Sequence, residues 1–116
     1  MKAEIRSIDL IDYEDWAYWP DDPCNFHVAA EALIGPEGSP GAEIFSFEVC
    51  TSRWVILHGE REAHFVRHLI LMDEYDENAL KSLVRNLVEN TTGETWREIA
   101  EKLARYMFWE FEDYQT

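Results

Sequence analysis

The chain has 116 residues, enough to enclose one hydrophobic core, so residues 1–116 read as a single domain. Apolar residues make up 47% of it and aromatic ones 14%, which excludes a disordered or solvating segment. Ten Lys plus Arg against 24 Asp plus Glu give a net charge of −14, a balance that repels nucleic acid and anionic membrane and attracts a basic protein.

No run approaches the ~20 apolar residues that span a bilayer, and the start MKAEIRSIDL lacks the apolar stretch of a secretory signal, so a soluble, cytoplasmic protein is expected. Cys24 and Cys50 then read as buried thiols rather than a disulfide. The charge is uneven: residues 1–50 hold eleven acidic side chains against Lys2 and Arg6, a net of −9. The stretch from Asn78 to Met107 is close to neutral.

In chain order, Ala3–Ile8 alternates small or apolar with polar residues and predicts a first strand. Asp9–Pro23 is dense in acids and aromatics and closes in Trp19-Pro20-Asp21-Asp22-Pro23, where two prolines exclude regular pairing, so a long loop is expected. Asn25–Ile34 places Phe26, Val28, Ala30, Ala32 and Ile34 on one side of a strand, although its alanines also permit a helix. Gly35–Gly41 is a turn by composition, and Glu43–Cys50 alternates again with Phe45, Phe47 and Val49 facing one way, which predicts a hairpin.

Two apolar runs follow, Trp54–Leu57 and Phe65–Met72, and both read as strands near the centre of the sheet, covered on both faces. Helical periodicity then takes over. Ala79, Leu80, Leu83, Val84, Leu87 and Val88 form one stripe ending at Asn90-Thr91-Thr92-Gly93. Thr95-Trp96-Arg97-Glu98 has capping-box spacing ahead of a second stripe, Trp96, Ile99, Ala100, Leu103, Ala104 and Met107. The end, Phe108 to Tyr114, either extends that helix or folds back as an aromatic tail.

The expected fold is therefore α+β: an antiparallel or mixed sheet of four or five strands from residues 1–73, with two C-terminal amphipathic helices on one face.

Chemistry is weakly signposted. His58, His64 and His68 cluster in sequence, but nothing supplies the ligand spacing or supporting acceptors of a zinc site, so no metal is assigned. Carboxylates are too abundant for any catalytic pair to stand out. The Gly35–Gly41 turn lacks a phosphate-cradling pattern, and Ser39 and Ser46 lack the glycine neighbours of a nucleophile elbow. No catalytic residue and no cofactor are expected. The enzymatic alternative is a small metal-dependent or hydrolytic enzyme using His64, His68 and nearby carboxylates.

The segment Asp12, Tyr13, Glu14, Asp15, Trp16, Tyr18, Trp19, Asp21, Asp22 carries more information. Rings offer anchoring area while carboxylates pair with Lys or Arg across an interface. The competing reading folds the rings onto the sheet and leaves the acids hydrated. On the binding reading Asp12, Glu14, Asp15, Asp21 and Asp22 supply complementary charge, with Trp16 or Trp19 as anchor.

A set of motifs runs in order along the chain: Asp22-Pro23 with Asn25-Phe26, Ile34-Gly35-Pro36-Glu37-Gly38, Gly41-Ala42-Glu43 with Phe45, and Val49-Cys50-Thr51 before Trp54. Thr95-Trp96 follows, and Trp109-Glu110-Phe111-Glu112 closes the set. Through these motifs the chain resembles the immunity protein 8 family of bacterial polymorphic-toxin systems, with Ser52 standing where proline is expected. The resemblance implies a cytoplasmic protein that binds the C-terminal domain of a cognate secreted or contact-delivered toxin, often a nuclease with a basic cleft. A monomer or weak homodimer is expected when the chain is free. An acidic adaptor or nucleic-acid mimic without a dedicated toxin is the remaining alternative. The family motifs read as turn-forming and packing residues and do not mark the binding face.

Overall fold

The computed structural model describes residues 1–112. Its strands are β1 (Ala3–Leu10), β2 (His27–Pro36), β3 (Glu43–Thr51), β4 (Leu69–Met72) and β5 (Phe108–Trp109), and its helices are α1 (Ser52–His58), α2 (Glu77–Glu89) and α3 (Trp96–Leu103). The expected α+β class holds. β1, β2 and β3 form an antiparallel meander, β4 joins β3 in parallel, and β5 lies antiparallel to β3 beside Phe45 and Ser46. The sheet is thus mixed and five-stranded, with its fifth strand drawn from the C-terminal segment. Phe108 and Trp109 fold back onto the sheet; Asp113 and Tyr114 lie outside the described residues.

One sheet face carries the core. Val28, Ala30, Ala32 and Ile34 of β2 are buried with Phe45, Phe47 and Val49 of β3, and the register sets Ala30 against Phe47 and Ala32 against Phe45. Small opposite large leaves a shallow surface on which helices can settle. Leu80, Val84 and Val88 of α2 and Ile99, Ala100 and Leu103 of α3 join these in a single cluster. The α2 stripe is narrower than its periodicity predicts, because Leu83 and Ala79 stay exposed.

Both helices begin at capping side chains. Asp76 accepts from the Ala79 amide at 3.0 Å, and Thr95 Oγ1 accepts from the Glu98 amide at 3.1 Å. Glu98 completes the second cap by accepting from Glu94, one residue before the expected partner. Each such cap is worth about 1 kcal/mol.

Two expectations are corrected. Trp54–Leu57 is not a strand but part of α1, because Thr51 ends β3 and caps a helix: its hydroxyl accepts from the Trp54 amide at 3.3 Å. A four-residue apolar run fits either element, and the cap decides. α1 buries none of its residues. Phe65–Met72 is a strand only from Leu69, since His68 sits at φ +62° and turns the chain into the sheet. Neither run lies at a doubly covered sheet centre; Phe65 and Val66 are exposed.

The β2–β3 turn explains two of the family glycines. Ser39 donates to Pro36 O at 3.1 Å, with Gly38 at φ +82° in the third position, where a side chain is disfavoured. Gly35 faces the Gly41 backbone so closely that a Cβ would lie 1.9 Å from the Gly41 carbonyl oxygen, whereas a Cβ on Gly41 meets open space. Gly35→Ala is therefore expected to destabilise the protein by about 1–3 kcal/mol through forced backbone displacement. Gly41→Ala should stay within about 0.5 kcal/mol of the parent. Urea unfolding midpoints of the two variants check this, and equal values would remove the steric account.

Candidate functional site

The acidic segment folds over one end of the sheet. A short 3-10 turn, Glu14–Trp16, sits in it, and Asp12, Asp15 and Trp16 adopt φ of +74°, +49° and +60°. Left-handed backbone at non-glycine residues is held only where the surroundings impose it. Part of that hold is Trp16, whose Nε1 donates to Ile8 O at 3.0 Å and whose ring lies 4.2 Å beneath Lys81 Nζ. The second fixture is Tyr75, which is 5% exposed and donates its amide to Pro23 O at 2.9 Å. Tyr18, Phe26 and Trp19 meet its ring edge-on at 5.2, 5.3 and 5.6 Å, and Tyr13 packs on Tyr18 at 4.7 Å.

The seven residues singled out from the sequence divide into three groups. Trp16 is partly buried and tied to β1 and α2. Asp12, Glu14 and Asp15 are exposed around the 3-10 turn. Trp19, Asp21 and Asp22 line one wall of a cleft of about 630 Å³, whose other wall is His27, Trp54 and His58. Trp19 remains 69% exposed despite its contact with Tyr75. Asp22 also shapes the loop, accepting from the Cys24 amide at 3.0 Å.

The opposite wall was not read from the sequence. His27 stacks on Trp54 at 4.3 Å with planes 19° apart, and its Nε2 lies 2.8 Å from Glu48 Oε1. Further along α1, Ile56 is 73% exposed and Leu57 is exposed, followed by Phe65 and Val66 on the connection to β4. The stretch 52–68 also carries Arg53, Arg61 and Arg67 against Glu60 and Glu62, so it is slightly positive in a strongly negative molecule. The sequence signal was present in Thr51-Ser52-Arg53-Trp54, a helix start hidden by the apolar run behind it.

The three clustered histidines do not converge. His58 packs near Trp54, with ring centroids 5.6 Å apart. His64 Nδ1 lies 2.6 Å from Glu62 O and 3.6 Å from Glu60. His68 is buried, with Nε2 donating to Ala104 O at 2.9 Å and its ring 3.9 Å from Phe108. Among the described residues no three of His, Cys, Asp and Glu come together as a metal site. Both cysteines are free: Cys50 is buried as expected, while Cys24, expected buried, is exposed because it sits at the loop's turn into β2. Burial, with Glu48 adding, pushes the Cys50 thiol above its ordinary value. No helix among the described residues is long and apolar enough to cross a membrane.

Burial also raises the two central phenols. Tyr75 is pushed up by desolvation and then by Glu77; Tyr18 by desolvation and then by Tyr13, Tyr75 and Asp21. The Tyr75 hydroxyl has no hydrogen-bond partner among the described residues. As pH rises the unfolded chain releases these protons first, near the ordinary tyrosine value of about 10. The stabilisation from the neutral phenols is therefore complete below that pH and is lost as pH climbs through the raised folded values. Tyr75→Phe should leave stability at neutral pH unchanged or higher and flatten the alkaline decline, measured by denaturant unfolding across alkaline pH.

No curated protein and no solved structure is significantly similar to the chain. The family model described as immunity protein 8 matches residues 3–114, a span that takes in both walls of the cleft and both helices beneath the sheet. That match agrees with the motif resemblance and covers nearly the whole chain, which therefore belongs to the immunity protein 8 family.

Proposed function

We propose that the protein neutralises a cognate toxin domain by stoichiometric binding in the cytoplasm, seating a basic surface of that domain on the cleft between the acidic loop and α1. The observation that carries this reading is the juxtaposition of exposed carboxylates with an exposed indole and an unburied helix. Asp21 and Asp22 flank Trp19 in the cleft, with Asp12, Glu14 and Asp15 on the neighbouring turn. Trp54 faces them from α1, the helix that also carries Ile56 and Leu57. Protein interfaces draw most of their energy from a few aromatic or Arg anchors near the centre, and rim charges mainly steer the encounter.

The charge of −14 adds long-range attraction toward a basic partner and speeds encounter. The toxin is proposed to be a basic, nuclease-type C-terminal domain delivered by contact or secretion. Binding, not turnover, is the activity. Trp16 is assigned to holding the loop, which leaves Trp19 as the anchor.

The test is surface-immobilised binding of the product of the neighbouring toxin gene, followed across a salt series. Reversal of Asp12, Glu14 and Asp15 to Lys should slow association and flatten its dependence on salt, with little change in dissociation. Trp19→Ala should act mainly on dissociation and weaken affinity about 30-fold or more, the scale of an interface hot spot. An acidic toxin held equally well in molar salt would refute the electrostatic reading. Full affinity in Trp19→Ala together with Ile56→Asp would move the interface off this cleft.

A further inference from the structure

We propose that the cleft is the receptor for a single arginine side chain of the toxin domain, whose guanidinium lies on the Trp19 indole with Asp21 and Asp22 along its edge. The inference rests on the cleft being the toxin-binding face and names the group that enters it.

The five tryptophans divide by what their indole nitrogens do. Trp16 Nε1 donates to Ile8 O, and the Nε1 atoms of Trp96 and Trp109 both donate to Glu43, so three indoles are pinned within the fold. Trp19 and Trp54 make no such bond among the described residues, and these two line opposite walls of the cleft. Trp54 is half-buried and stacked on His27. Trp19 is 69% exposed, and its ring contact with Tyr75 is edge-on, so most of its surface stays open where it lines the cleft.

The carboxylates beside it are equally unengaged. None of the seven ion pairs among the described residues includes an acid between Asp9 and Asp22, so Asp21 and Asp22 have no cation from this chain. Asp22 uses only Oδ1, on the Cys24 amide. Asn25, on the same lining, has a buried Oδ1 with no donor among the described residues. Acceptors left without donors call for a donor-rich cation.

Those features select arginine over lysine. A guanidinium is planar and weakly hydrated, so one face can lie on an indole while its five N–H groups reach carboxylate and amide oxygens in its plane. An ammonium is a compact, strongly hydrated point charge and gains less from an open ring. At about 630 Å³ the cleft has the size of a small-ligand pocket, which suits a projecting side chain rather than a flat patch.

The test titrates the free, isotopically labelled chain with N-acetylarginine amide and follows the five indole N–H signals by nuclear magnetic resonance. Trp19 and Trp54 should shift and saturate with a dissociation constant of about 1–10 mM, while Trp16, Trp96 and Trp109 stay in place and report an intact fold. N-acetyllysine amide should bind at least about fivefold more weakly, and the citrulline analogue, which keeps the shape without the charge, should not saturate. Asp21→Asn with Asp22→Asn retains the acceptor for the Cys24 amide and should weaken arginine binding about tenfold or more. The absence of a saturable shift, equal affinity for the lysine amide, saturation by the citrulline analogue or an undiminished response in the double variant overturns the proposal. In the complex, replacing each toxin arginine by lysine should find one that weakens binding to the parent about tenfold or more and to Trp19→Ala less than about threefold. If no arginine couples to Trp19 in this way, the occupant is wrong. Should Trp19→Ala weaken toxin binding while N-acetylarginine amide moves no indole signal, the cleft stands as the interface and this inference alone falls.

Discussion

The contact between β2 and β3 governs the rest of the molecule. Ala30 and Ala32 face Phe47 and Phe45 across the ladder, so each small residue makes room for a ring. The pattern fixes register, because a one-residue slip would turn both phenylalanines to the opposite face and leave alanines opposed to polar groups. It also fixes the height at which Leu80, Val84, Ile99 and Leu103 meet the sheet. Trp96 and Trp109 extend this arrangement, since both indole nitrogens donate to the same Glu43 carboxylate at the start of β3. One acid thereby ties the first turn of α3 and the last strand to the hairpin.

What could be read from residues alone followed how many independent signals each element carried. β2 and β3 were legible because alternation, flanking turn residues and aromatic content agree, and every residue of the predicted face is buried, with Cys50 and Thr51 buried besides at the end of β3. The helices were legible from period and, at Thr95, from capping-box spacing, whereas Asp76, the cap of α2, lies in the acid-rich Asp73–Glu77 turn, where one carboxylate does not stand out. α1 failed for the opposite reason: Trp54-Val55-Ile56-Leu57 offers one apolar run and no second signal except Thr51, whose capping role depends on where β3 ends. Parallel pairing of β4 was likewise invisible, since four apolar residues do not announce a partner strand.

The candidate site was half legible. Its acidic wall is contiguous in sequence, so composition was enough to single it out. Its other wall comes from β2 and α1, brought opposite by the sheet, and no local pattern reports such a juxtaposition. Among the predicted anchors, Trp16 and Trp19 are three residues apart with similar neighbours. Backbone torsions at Asp15 and Trp16 send one indole inward to Ile8 and leave the other in solvent. The division of charge is equally tertiary. The acidic loop faces a stretch that is slightly basic and apolar, so the cleft has two chemically different sides rather than a uniform anionic field.

The contrast between the two thiols has a practical side. Cys24 is exposed at the rim of the acidic loop, one residue after Pro23, whereas Cys50 is enclosed in β3 and its thiolate is disfavoured by burial. A maleimide dye added at neutral pH therefore attaches at one position in the unaltered polypeptide. The label then stands beside Asp22, at the margin of the acidic loop, with no engineered cysteine required.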